Sequence, residues 1–95
     1  MRKVVLLFSN EVLLEDRRLM KLDYSLTESC AEASTEPYYG IQIRKYLGDD
    51  MEADEVSGIS YSKDAVISMI RKLFQYEVTP ISMAEIIDEL VTVGG

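Results

Sequence analysis

The chain has 95 residues, 47% of them hydrophobic, and a formal net charge of -7. That length and hydrophobic content fit one folded domain and exclude a disordered chain. Nucleic acid is disfavoured as a partner, because phosphate neutralisation needs a basic patch and the ten Lys and Arg residues are dispersed.

The sequence has no histidine. This removes the commonest general base, the Ser-His-Asp and Cys-His arrangements, and His-based zinc sites. No Gly-rich phosphate loop or dinucleotide fingerprint occurs, and no cofactor is expected. Cys30 is the only cysteine, so no intrachain disulfide forms and a reducing compartment fits. Met1-Arg2-Lys3 followed by Val4 to Phe8 superficially resembles a signal peptide. The apolar run is too short, and Ser9-Asn10-Glu11 ends it without a small-residue cleavage site. No stretch approaches the roughly 20 apolar residues that span a bilayer. A cytoplasmic protein without a membrane partner is expected.

In chain order, Val4 to Phe8 is an apolar, β-branched-rich run that Val12-Leu13-Leu14 continues, and Glu15-Asp16-Arg17 makes a turn. From Arg18 the residues alternate. Met20, Leu22, Tyr24 and Leu26 share one face and Lys21, Asp23, Ser25 and Thr27 the other, the period of a half-buried strand. These two segments read as a β-hairpin; the competing reading is a helix over Asn10 to Leu19 with Asn10 as cap.

Glu28 to Pro37 is small and polar and reads as a loop. Tyr38 to Leu47 alternates again, with Tyr39, Ile41, Ile43 and Leu47 opposite Gln42, Arg44 and Tyr46. Gly40 inside this strand predicts a bulge or a close backbone approach. Gly48-Asp49-Asp50 turns the chain into a charged strand over Glu52 to Ile59, suited to a sheet edge.

Ser60 or Ser62 caps a first helix, in which Val66, Met69, Ile70 and Leu73 form one stripe ending near Tyr76 or Glu77. Pro80 breaks the chain before a second helix. Ser82 and Glu85 have capping-box spacing for its start, and Ile81 and Ile86 that of a hydrophobic staple. Met83, Ile86, Ile87, Leu90 and Val93 make its apolar face. The expected fold is therefore α+β over 1–95: an antiparallel β-meander of three to four strands, followed by a C-terminal helix pair packed on one face.

Tyr39-Gly40-Ile41-x-Ile43, Ile59-Ser60, Val66-Ile67-x-Met69-Ile70, Val78-Thr79-Pro80-Ile81 and Ile86-Ile87-x-Glu89-Leu90 follow one another in this order. That succession resembles a family of small uncharacterised bacterial proteins of clostridial type. The resemblance covers roughly the last sixty residues, the scale of one small domain. It implies no activity and carries over no catalytic residue.

Three constellations remain. Asp50, Glu52 and Asp54 have the spacing of the first ligands of a calcium loop. Glu55 stands where that loop needs Gly, and Tyr61 where it needs a bidentate Glu, so no metal site is expected. Cys30 continues the apolar phase of its strand and reads as a small buried or half-buried hydrophobe. Tyr24 and Tyr39 read as core, whereas Tyr38, Gln42, Arg44 and Tyr46 form a mixed aromatic and polar surface suited to a partner.

Glu85, Asp88 and Glu89 form an acidic ridge at like-charge helical spacing. Either Arg71 and Lys72 reach across to it, or it faces a basic partner. These features point to a non-enzymatic module with a protein partner, or a homodimer through the sheet face or the edge away from the acidic strand. The rival is a small-ligand-binding or enzymatic domain using Tyr and carboxylates. A third reading is an acidic mimic of nucleic acid.

Overall fold

The computed structural model describes residues 2–30, 36–80, 82–83 and 85–87. Four strands form one antiparallel sheet in sequence order: β1 (Arg2–Leu13), β2 (Leu19–Ser29), β3 (Tyr38–Leu47) and β4 (Asp50–Ser60). The helix α1 (Lys63–Gln75) follows.

The first two strands form a hairpin, and no helix runs over Asn10 to Leu19. Its turn closes with Arg17 in the left-handed region (φ 69) and a 2.9 Å bond from the Leu14 N–H to the Arg18 carbonyl. The Arg18 amide and guanidinium both donate to the Asp16 carboxylate, holding its pKa below the ordinary value. β1 runs unbroken through Ser9-Asn10-Glu11, because those polar residues still have partners across the ladder, Asp23, Leu22 and Lys21. β4 likewise extends beyond the expected strand at both ends, to Asp50 and Ser60. The register slips twice, between Leu6 and Phe8 on β1 and between Tyr39 and Ile41 on β3. The second slip lies opposite Gly40, where Ser57, Gly58 and Ile59 of β4 stand against that one residue; of the bulge or close approach expected at Gly40, the close approach is the one present.

Side chains paired across strands share a face. Leu22, Tyr24, Leu26, Tyr39, Ile41 and Ile43 form the buried inner face. Val66, Ile70 and Leu73 of α1 cover it, together with Val78, Met83 and Ile87. Phe74 stacks on Phe8 of β1 at 4.9 Å and meets the Tyr24 ring edge-on at 5.9 Å. Tyr24 and Tyr39 are therefore core, as the alternation requires.

Ser62 caps α1 by accepting from the Ala65 N–H at 3.3 Å, and the Ser60 hydroxyl in turn accepts from the Ser62 N–H. At the other end the Glu77 N–H bonds Phe74 O and the Val78 N–H bonds Leu73 O. This is a Schellman motif, closed by Glu77 in the left-handed region (φ 53). A residue with a Cβ is strained there, and glycine is not. Glu77→Gly is accordingly expected to raise stability by about 0.5–1 kcal/mol. A urea midpoint at or below the wild-type value would contradict this.

Two expectations are corrected here. Pro80 is already helical and the Ser82 N–H bonds the Thr79 carbonyl at 3.1 Å. The helical run thus starts at Pro80, the first-turn position its fixed φ and missing N–H favour. Ser82 lies inside that turn and does not cap it, so the capping box with Glu85 does not form. The proposed staple partner Ile81 is outside the described residues. Cys30 is exposed, not buried or half-buried, because β2 ends at Ser29 and its alternation ends there.

Candidate functional site

The outer face of the sheet carries Tyr38, Gln42, Arg44 and Tyr46 of β3. Register gives its rows. Lys21, Tyr46 and Met51 stand side by side, then Asp23, Arg44 and Ala53, then Ser25, Gln42 and Glu55. Ser29 and Tyr38 make the far row, beyond Thr27 and Gly40. On β1 the slip beside Leu6 changes the phase. Val4 and Leu6 therefore join this face at one end, with Ser9 and Glu11 at the other.

Most of its polar groups hold one another. The Lys21 ammonium lies 5.9 Å from the Tyr46 ring centre, a cation–π contact, and 3.9 Å from the Asp23 carboxylate. The Ser9 hydroxyl donates to Asp23 at 2.7 Å. The Gln42 amide nitrogen donates to Glu55 at 3.3 Å, and Arg2 forms an ion pair with the same carboxylate. Arg2 and Glu55 belong to opposite edge strands. The twist of the sheet brings the start of β1 toward the middle of β4 over the outer face.

Two groups are left over. The Gln42 carbonyl oxygen is buried and has no hydrogen-bond partner among the described residues. Arg44 is exposed and makes no ion pair among them, although Asp23 is its direct cross-strand neighbour. The residues Gln42 and Arg44 line an open depression of about 350 Å³ with Val4, Leu6, Asp23 and Ser25.

The structure thus brings Gln42 and Arg44 together and sets Tyr46 in the next row. Tyr38 is half-buried and borders a different depression, with Gly58, Ile59, Ser60 and Tyr61. Glu85 is exposed on the helical run that packs against the inner face, far from this site, and makes no ion pair with Arg71 or Lys72. Asp88 and Glu89 lie outside the described residues, so the acidic ridge is represented by Glu85 alone.

Arg2, Val4, Leu6, Asp23, Ser25 and Glu55 also belong to the site and are not among the residues the sequence pattern assigns to it. Asp23 and Ser25 were visible as the polar phase of β2, but only the strand register joins them to Gln42 and Arg44. Of Asp50, Glu52 and Asp54, Glu52 is taken by Lys45 at 3.4 Å. Among the described residues no group of three or more His, Cys, Asp or Glu side chains is placed to hold a metal ion. Among the same residues no helix is long and apolar enough to cross a membrane.

A family model, described as a family of unknown function (DUF6514), matches residues 3–93. The chain belongs to this family. The match takes in β1 and β2 as well as the helical part, so the family extends over the segment that the resemblance read from the last sixty residues did not cover. Its description assigns no activity. No curated protein and no solved structure matches the chain. The family therefore confers no catalytic residue.

Proposed function

We propose that this chain is a non-enzymatic, cytoplasmic protein-binding module that docks a partner on the outer face of its sheet. The helical run from Pro80 is the second member of the helix pair that leaves this face open by packing on the other. The observation that carries the reading is Arg44, a guanidinium without an ion pair among the described residues, set between Tyr46 and the depression lined by Val4 and Leu6. Arg and Tyr in one patch, flanked by apolar side chains, are the residue types that dominate binding energy at protein interfaces. The partner supplies a carboxylate to Arg44 and an apolar side chain to Val4 and Leu6.

A small-ligand reading has one observation in its favour, the Gln42 oxygen without a partner. That oxygen is buried, and its amide is held by the Glu55 carboxylate that also pairs with Arg2. A ligand in the open depression has no direct approach to it, which favours the protein partner.

A photo-crosslinking residue in place of Tyr46, and separately in place of Arg44, is expected to capture one and the same protein in living cells. The same residue at exposed Lys63 on α1 is expected not to. Arg44→Ala should weaken the captured complex about tenfold or more. Equal capture from the helix and the sheet face, or no capture from either sheet position, would overturn the reading.

A further inference from the structure

We infer that two copies of the chain join through their β1 strands, antiparallel about a two-fold axis, into one continuous sheet. This rests on the reading that the chain works by binding protein, and it adds a second copy as a partner.

The two edges of the sheet are unlike. β4 is guarded: it carries Glu52, Asp54 and Glu55, its pairing slips opposite Gly40, and Gly58 stands in the left-handed region (φ 66). Charge and irregularity of that kind keep other strands away. β1 is less guarded: its charges, Arg2, Lys3 and Glu11, stand toward its ends, and its one slip lies within an apolar run beside Leu6. It is 12 residues long, and no described strand pairs with its outer edge. Val4, Val5 and Leu6 are 44%, 38% and 56% exposed in its first half. A long apolar edge of this kind is a template for another strand.

The sequence of β1 selects its own copy as that strand. Reversed against itself about the Leu6–Leu7 bond, it sets Arg2 opposite Glu11, so each end brings a carboxylate to a guanidinium that also pairs with Glu55 of its own copy. Val5 then meets Phe8, and Val4 meets Ser9, with leucines across the axis. The slip beside Leu6 makes this register possible. It moves the alternation by one, so that Arg2 and Glu11 both lie on the outer face and Val5 and Phe8 both on the inner. In a regular strand every one of these pairs would fall on opposite faces. The charge of the molecule does not oppose the contact. The chain carries -7 overall, yet β1 holds two cations and one carboxylate, and is the less acidic of the two edge strands.

The test is sedimentation of the full chain up to hundreds of micromolar, with amide hydrogen exchange at each concentration. A monomer–dimer equilibrium is expected, with β1 amides gaining protection as the dimer forms and β4 amides unchanged. Leu6→Lys places two ammonium groups near the axis at an exposed position, and should raise the dimer dissociation constant at least about tenfold. If that variant does not fold, the Val4→Cys and Ser9→Cys pair in a Cys30→Ser background gives an independent readout. Those two positions are too far apart along one strand to bond to each other. In the dimer they face across the junction, and mild oxidation should yield a covalent dimer that Val4→Cys alone does not give.

A strict monomer at hundreds of micromolar overturns the inference, as does a dimer whose β1 amides stay unprotected. A dimer broken by Arg44→Ala and Tyr46→Ala but not by Leu6→Lys also overturns it, and leaves protein binding through the sheet face standing. The β1 dimer without any crosslinked partner at Tyr46 or Arg44 removes the face and keeps the edge.

Discussion

Gly40→Ala is expected to destabilise the protein by about 3 kcal/mol, close to the upper range for overpacking. A Cβ at this position would stand 2.3 Å from the Val56 carbonyl oxygen, 2.7 Å from Ser57 Cα and 2.7 Å from Thr27 Oγ1. The first two are main-chain atoms of β4, so the clash cannot be relieved by turning a side chain. Only separation of β3 from β4 makes room, and that forfeits ladder bonds on the strand that carries Gln42 and Arg44. A domain of this size has about 5–15 kcal/mol of stability in total, so the loss is a large fraction of it. The melting temperature should fall by more than 10 °C, taking roughly 4–8 °C per kcal/mol. Removing the one side-chain contact with Thr27→Ala should restore little, because two of the three obstacles remain. A urea midpoint for Gly40→Ala close to that of the wild type would show that β4 gives way more easily than this packing implies.

Gly40 also marks how far the sequence alone carries. A glycine within an alternating strand signals a close approach, and the approach is there. The phases of β2 and β3 were visible for the same reason: one face is buried, so the period of two is written in Leu22, Tyr24, Leu26, Ile41 and Ile43. α1 was visible through Val66, Ile70 and Leu73. What was hidden depends on long-range geometry. The slip at Leu7 leaves no local signature in an apolar run, yet it decides that Val4 and Leu6 share a face with Ser9 and Glu11. Arg2 and Glu55 meet through sheet twist across 53 positions of sequence. The Pro80 start shows two local rules in competition: Ser82 and Glu85 fit a capping box, but proline at the first helical position prevails and moves the start three residues earlier. Half of the site on β3 was therefore legible, as Gln42, Arg44 and Tyr46. Its partners on β1 and β2 required the register.

Tyr24→Phe should cost about 1–3 kcal/mol at neutral pH and flatten the alkaline limb of the stability curve. Tyr24 is fully buried, and its hydroxyl donates to the Val78 carbonyl at 3.0 Å. That bond joins β2 to the chain leaving α1, where the Schellman motif sets the path toward the second helical run. Phe keeps the edge-on contact with Phe74 but leaves the Val78 acceptor buried without its donor. Burial first, and the Glu77 carboxylate second, push the Tyr24 phenol up to about 12. In the unfolded chain it ionises near 10. The folded state therefore keeps its proton through a range in which the unfolded state releases it. The stability this contributes is complete below pH 10 and is lost as pH rises toward 12, amounting to about 2–3 kcal/mol. Tyr24→Phe cannot lose it. Wild type and variant should differ most near neutrality and converge between pH 10 and 12. Tyr39, also raised by burial and then by Glu28, remains in both and leaves a shared residual slope. Urea midpoints measured across that window decide the matter. Two curves that stay parallel up to pH 12 would mean that the Tyr24 proton is not held by the fold, and that its bond to Val78 is weaker than the buried geometry requires.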